Sequence, residues 1–207
     1  MAIKDRILQA ALRQFNQFGT DQTTVRSIAE EVGISHGNLC YHYKNTDELI
    51  EALYLQLVDQ ITPHAEGAFQ QGLSLEEVWE QSWSTFTLMY QYRFLLLDFA
   101  RIIRRIDSMR QNFRQLMVLR RHQFQHGIQQ LVDNGWMQPE PSTGQYDHLI
   151  THLLIIGNHW VTESVIQFEV EEEERIRYYH RAMVSLLFPY LTKRGRQSYG
   201  RLSAEET

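Results

Sequence analysis

The sequence predicts an all-α protein. Apolar residues recur at spacings of three and four over long spans, no segment sustains a two-residue alternation, and only four prolines interrupt the 207 residues. Ile3, Ile7, Leu8, Ala11, Phe15 and Phe18 form one stripe on a first helix that stops at Gly19, a residue suited to a left-handed terminator. Two short helices follow. Thr24 can cap a helix through about Val32, Gly33 breaks it, and a second runs from near His36 to about Tyr43. Asn45 and Glu48 approximate a capping box for a connector helix that carries Leu49, Leu53, Leu57 and Ile61 and ends at Pro63.

Beyond Pro63, Ser74 and Glu77 form a second capping box ahead of Leu75, Val78, Trp79, Trp83, Phe86 and Tyr90. Leu95, Phe99, Ile102 and Ile106 continue the period. A helix from about Ser108 holds Met109, Phe113, Leu116, Met117, Phe124, Ile128 and Leu131 on one side and ends at Gly135. The segment to Gly144, with Pro139 and Pro141, reads as a loop. Two helices follow, Gln145 to about Phe168 and Glu171 to about Leu191, and then a polar tail expected to be mobile. The organisation predicted is a three-helix head over residues 1–46, a helical domain over 47–191 whose first part, 47–62, is the connector, and a tail over 192–207.

Composition narrows the function classes. A single cysteine, Cys40, excludes an internal disulfide and any Cys-rich zinc or iron–sulfur site, and fits the reducing cytoplasm. No stretch approaches ~18 uninterrupted apolar residues, so no membrane partner is expected, and nothing marks the chain for export. The formal net charge of −5 repels polyanions, so any nucleic-acid binding must come from a local surface. No Gly-rich phosphate loop or GxSxG elbow appears. Cys40 follows His36 by four residues, one helical turn, but nothing orients the histidine, so neither catalysis nor a cofactor is expected.

Two short helices separated by Gly33 and packed behind a longer first helix have the proportions of a helix-turn-helix, whose second short helix enters the DNA major groove. With Leu39 facing the core, 100° per residue places Tyr43 beside it, Gly37 and Tyr41 nearly opposite and Asn38 to one side. The outward face is small or polar. Gly37 has no side chain to hold the backbone off phosphates, and the amides at that helix start attract anions.

The run Thr23-Thr24-Val25-Arg26-Ser27-Ile28-Ala29-Glu30-Glu31-Val32-Gly33-Ile34-Ser35-His36-Gly37-Asn38-Leu39-Cys40-Tyr41-His42-Tyr43 closely resembles the DNA-binding domain of the tetracycline-repressor (TetR) family of bacterial regulators. The likeness covers about Lys4 to Leu53. Cys40, Tyr43 and Thr46 depart from it, standing where the family more often has an aromatic, Phe and Lys. The resemblance implies phosphate contacts from Thr24, Ser35, Tyr41, His42 and Thr46, and base-edge or groove contacts from His36, Gly37 and Asn38. Arg26 and Lys44 are the nearby cations. Packing between the short helices is the competing reading of His42 and, less so, Tyr41. Up to Ile50, Lys4, Arg6, Arg13, Arg26 and Lys44 stand against Asp5, Asp21, Glu30, Glu31, Asp47 and Glu48, a formal charge of −1. Affinity must then lean on backbone amides and on two heads acting together.

The family likeness further implies a repressor that binds a palindromic operator as a homodimer and is released by a small hydrophobic or amphipathic effector. The alternatives are an activator, a regulator answering to a protein partner, or a small-molecule carrier or enzyme with a vestigial helix-turn-helix. Trp79, Trp83, Phe86, Tyr90, Phe99, Phe113, Met117 and Phe124 are candidate pocket residues, with Leu53 and Leu57 on the connector; aromatic stripes at helical spacing also read as ordinary core. For the dimer, Leu149, Leu153, Ile156 and Trp160 on one helix and Ile176, Tyr179, Met183, Leu186 and Tyr190 on the next have spacings suited to a four-helix interface. His148, His152 and His159 share a face and read as interface before metal, since no carboxylate or Cys completes the set. Between Arg93 and Arg121, eight arginines stand against Asp98 and Asp107, a local charge of +6. This is either counter-charge for an anionic ligand or, the preferred reading, a solvated face.

Overall fold

A computed structural model describes residues 2–67 and 72–205. In chain order the helices are α1 (Ile3–Gln22), α2 (Val25–Val32), α3 (His36–His42), α4 (Thr46–Gly67), α5 (Leu75–Gln91), α6 (Arg93–Leu97), α7 (Phe99–Arg105), α8 (Asp107–Asp133), α9 (Gln145–Gln167), α10 (Glu172–Ser185) and α11 (Lys193–Glu205). Among the described residues there is no strand, only an isolated bridge between Met137 and Leu191. No helix among them is long and apolar enough to cross a membrane.

Local chemistry explains where the elements start and stop, and four of them depart from the sequence reading. Gly19 (φ 76°) kinks α1 as expected of a terminator, yet one more turn runs on to Gln22. Pro63 lies inside α4 and does not end it: the ring removes a single amide donor, and the helix carries on to Gly67. The predicted last helix ends at Ser185, and Pro189 sits in a short 3-10 turn, Phe188–Tyr190. The tail expected to be mobile is instead helical over Lys193–Glu205. Arg194 stacks 3.7 Å over the Trp136 ring, and a Cβ at Gly195 would run into the Trp136 carbonyl oxygen, so glycine is what lets α11 lie this close. Ser198 donates to Glu76 on α5. Burial works to raise the Glu76 carboxyl, but Ser198, a backbone amide, Arg201 and Arg194 together hold it below its ordinary value.

The chain forms two compact units. The first comprises residues up to Asp59 together with Gln91–Phe113, so the head does not stop at residue 46: α6, α7 and the start of α8 belong to it. Ile7, Ala10, Ala11, Phe15, Ile28, Leu39, Leu49, Ile50, Leu53 and Ile102 are buried there, and Phe15 stacks on Phe94 with centroids 4.9 Å apart. Polar ties join the two stretches of chain. Asn16 donates to the Gln91 carbonyl (2.7 Å) and accepts from the Phe94 amide (3.1 Å), and Thr20 donates to Asp98 (2.7 Å). Arg101 donates to Asp98 and Asp21, and Arg105 pairs with Asp47 at 2.8 Å.

The second unit comprises Gln60–Tyr90 and Arg114–Thr207, described as far as residue 205. Trp160 stacks on Phe86 at 4.9 Å and on Tyr90 at 6.0 Å, with Tyr179 at 5.8 Å. The fully buried His180 meets the edges or faces of Trp79, Trp83 and Phe86 at 4.9, 5.5 and 5.8 Å, and its Nε2 lies 2.8 Å from the Ser82 hydroxyl. Burial, only partly offset by the Trp79 carbonyl, lowers the His180 pKa from 6.5 to about 4. The unfolded chain therefore takes up a proton on this imidazole below about pH 6.5 and the folded chain only near pH 4. Stability falls as the pH drops through that window, by about 3 kcal/mol in all. Urea unfolding between pH 7 and 4 should show a smaller acid loss in His180→Gln than in the parent. Identical profiles would place the acid sensitivity elsewhere.

Candidate nucleic-acid interface

The turn between α2 and α3 is built from short-range chemistry. Thr24 caps α2 by accepting from the Ser27 amide, and Ser27 Oγ accepts in return from the Thr24 amide, both at 3.1 Å. Gly33 (φ 75°) closes α2 in the left-handed conformation, and its amide bonds back to Ala29 and Glu30. Ser35 then caps α3 through the Asn38 amide at 3.1 Å. One side chain of α3 is buried: Leu39, at 0% exposure, docks the seven-residue helix on the core.

The opposite face is open. His36, Gly37, Asn38 and Tyr41 are exposed, Tyr41 to 86%, as are Thr24, Arg26, Ser35 and Lys44 around them, while His42 and Thr46 are half-buried. Tyr41 meets His42 edge-on at 5.2 Å, so His42 packs on its neighbour as well as facing outward. Arg26 shares a loose exposed pair with Glu30 at 3.4 Å. Cys40 Sγ lies 3.5 Å from Nε2 of His36, a side chain expected to read bases. Tyr43 turns inward, and burial, then the nearby Asp5, raise its phenol above the usual range. The small and polar face thus lies outward, flanked by two hydroxyl caps and by the amides starting α3.

The remaining candidates separate. Leu53 and Leu57 are buried in the first unit, where Phe99 and Phe113 meet edge-on at 4.6 Å. Trp79, Trp83, Phe86 and Tyr90 gather around His180 and Trp160 in the second. Met117 does not join that cluster; it lines a surface groove, and Phe124 is half-buried. Most of the residues expected in an interface of the last two helices are buried within the single chain. Leu149, Leu153, Trp160, Ile176, Tyr179 and Met183 are each at most 9% exposed, because α9 and α10 use these stripes to pack within the chain. Ile156, Leu186 and Tyr190 are half-buried.

Sequence reasoning missed the groove on the outer side of α8 and α9, of about 360 Å³, lined by Met117, Val118, Arg121, His122, Thr151, Leu154, Ile155, Asn158 and His159. The two helices run antiparallel beside it, with Asn158 on Met117, Arg121 on Thr151 and Gln125 on Asp147. His148, His152, Ile155, His159 and Ile166 make one exposed stripe of α9, with Ile155 at 54% and Ile166 at 79% exposure. The signal was present in the histidine spacing, but the more apolar stripe beside it drew the assignment.

Two family models match. The one described as bacterial regulatory proteins of the tetR family covers residues 7–53, and the one described as TetR, bacterial transcriptional repressor, covers residues 53–199. The HTH-type transcriptional regulator YhgD of Bacillus subtilis is 30% identical over 74 residues, 36% of this chain and 39% of that protein. The chain therefore spans well under half the length of this curated relative. Among solved structures, a TetR-family regulator from Marinobacter aquaeolei has a TM-score of 0.90 at 22% identity, covering 99% of this chain and 98% of the other. The complex of SmeT, from Stenotrophomonas maltophilia, with triclosan has a TM-score of 0.67 at 15% identity, covering 93% of each chain. At such identities these likenesses concern the fold, and it is the two family matches, meeting at residue 53 within α4, that settle membership: the chain belongs to the TetR family of bacterial transcriptional regulators.

Proposed function

We propose that this chain is a cytoplasmic repressor, not an enzyme, that binds a palindromic operator as a homodimer and is released by a small effector. The observation that carries the DNA reading is α3 itself: one buried leucine, Leu39, and an exposed face of His36, Gly37, Asn38 and Tyr41. Selecting bound fragments from random duplex DNA with the purified chain, then footprinting them, should return a two-fold symmetric site. Failure to retain any duplex would overturn the reading. Within that site, Tyr41→Phe should weaken binding to every sequence by about one phosphate hydrogen bond, ~1 kcal/mol. Asn38→Ala and His36→Ala should instead change preference at particular base pairs, measured by competition with single-substituted operators.

The homodimer is assigned to the outer face of α8 and α9, where Val118 (60% exposed), Ile155 and Ile166 stand among polar and histidine side chains. Two copies of an antiparallel helix pair make a four-helix contact, and its two-fold axis would be mirrored by a palindrome. The effector is assigned to the second unit. The buried Trp160 Nε1 and Tyr179 Oη meet no hydrogen-bond partner among the described residues, and a mainly apolar molecule carrying an acceptor would satisfy them. SmeT, of like fold, holds triclosan, which supports a ligand of this kind. A coupling of ~1 to 3 kcal/mol would give roughly 5- to 150-fold release, and by reciprocity the DNA complex must bind the effector more weakly by the same factor. Equal effector affinity for free and DNA-bound protein would exclude the switch.

A further inference from the structure

We infer that the end of α7 is a second contact to the DNA backbone, with Arg104 and Arg105 meeting phosphates beside those expected at the start of α4; this rests on the DNA-binding reading above. Arg105 reaches Asp47 at 2.8 Å, in the first turn of α4. Its guanidinium is thereby tied to the residue that follows Thr46, one of the positions assigned to phosphates. The pair is open to water, with side-chain exposures of 36% and 40%, so its attraction is screened and Arg105 can exchange Asp47 for a phosphate at small cost. The arginine beside it, Arg104, is exposed and has no ion pair among the described residues. Other arginines of this stretch are engaged: Arg101 with Asp98 and Asp21, and Arg110 with Asp107.

Charge points the same way. Residues 1–50 carry a formal charge of −1, unhelpful to a polyanion ligand. Residues 91–113 fold into the same unit and add Arg93, Arg101, Arg104, Arg105 and Arg110 against Asp98 and Asp107, a contribution of +3. A planar guanidinium suits a phosphate oxygen pair, and this one stands on the unit that carries the recognition helix. The buried Ile106 and Met109 hold the turn that follows in place.

The test is binding of the parent, Arg104→Gln, Arg104→Lys and Arg110→Gln to the selected operator and to an unrelated duplex of equal length, each over a range of salt. Arg104→Gln should weaken both duplexes by up to about tenfold and reduce the slope of log affinity against log salt by about 0.9, the mark of one lost phosphate contact. Arg104→Lys should keep the parental slope, and Arg110→Gln should change neither quantity. Because Arg104 is exposed, its variants should melt with the parent. An unchanged slope in Arg104→Gln overturns the inference while leaving operator binding intact; a parent that binds no duplex overturns the underlying reading instead.

Discussion

Trp160→Ala should lower the unfolding free energy by about 3 to 5 kcal/mol, a large share of the 5–15 kcal/mol that an ordinary domain has. The indole is 2% exposed and lies between Phe86, Tyr90 and Tyr179, with ring centroids 4.9, 6.0 and 5.8 Å away. Removing it leaves a cavity in a close-packed interior, and the stacked rings on two other helices cannot collapse into it without breaking their own contacts. Urea unfolding should show a lower midpoint with an unchanged slope. Trp160→Glu should be worse, because an unpaired carboxylate would be buried among aromatic rings, and the chain should fail to fold. A folded, merely monomeric Trp160→Glu would instead show that this tryptophan faces a partner.

Ile155→Glu should have the opposite character. Ile155 is 54% exposed, so the substitution should leave the melting temperature of the isolated chain nearly unchanged. In a two-fold interface each substitution occurs twice, and two desolvated carboxylates near the axis would drive the copies apart. Sedimentation at micromolar concentration should show a dimer for the parent and a monomer for the variant. Operator affinity should fall by roughly 10²- to 10⁴-fold, because each head would then bind its half-site without the other held beside it. A variant still dimeric, with parental operator binding, would place the interface elsewhere. Together the two substitutions, five residues apart on α9, separate the stripe that builds the chain from the stripe assigned to its partner.

Much of the recognition head was legible in the sequence because it is made of local rules. Thr24 and Ser35 cap, Gly33 turns left-handed and Leu39 docks, and each of these acts within a few residues of itself. The second capping box, Ser74 with Glu77, forms for the same reason, with its two bonds at 2.7 and 3.2 Å. Periodicity likewise marked the apolar face of every long helix. It could not say what each face meets. Leu149, Leu153 and Trp160 have the spacing of a helix interface whether the neighbour lies in the same chain or in a second molecule, and only the folded chain shows all three buried, with Trp160 against Phe86 of α5 and Tyr179 of α10.

Two other outcomes depended on contacts far apart in sequence. Residues 192–207 look like a polar tail because α11 sets a buried glycine, Ser198 and the Arg194 guanidinium against Trp136 and Glu76, groups that carry no hydrophobic signal, with Tyr199 on Trp79 and Phe188 as its aromatic contact. Residues 91–113 read as part of the second domain until Asn16, Thr20, Asp21 and Asp47 are seen to bond to Gln91, Asp98, Arg101 and Arg105. The sequence by itself determined most of the long helices, the caps at Thr24 and Ser74 and the family to which the recognition helix belongs, since each is encoded in residues within a turn or two of one another. Tertiary structure alone decided which apolar stripes are interior, which stripe is left facing outward, and that a +3 segment folds beside the head, because hydrophobic burial has no direction in sequence and is assigned only when the helices compete for the same neighbours.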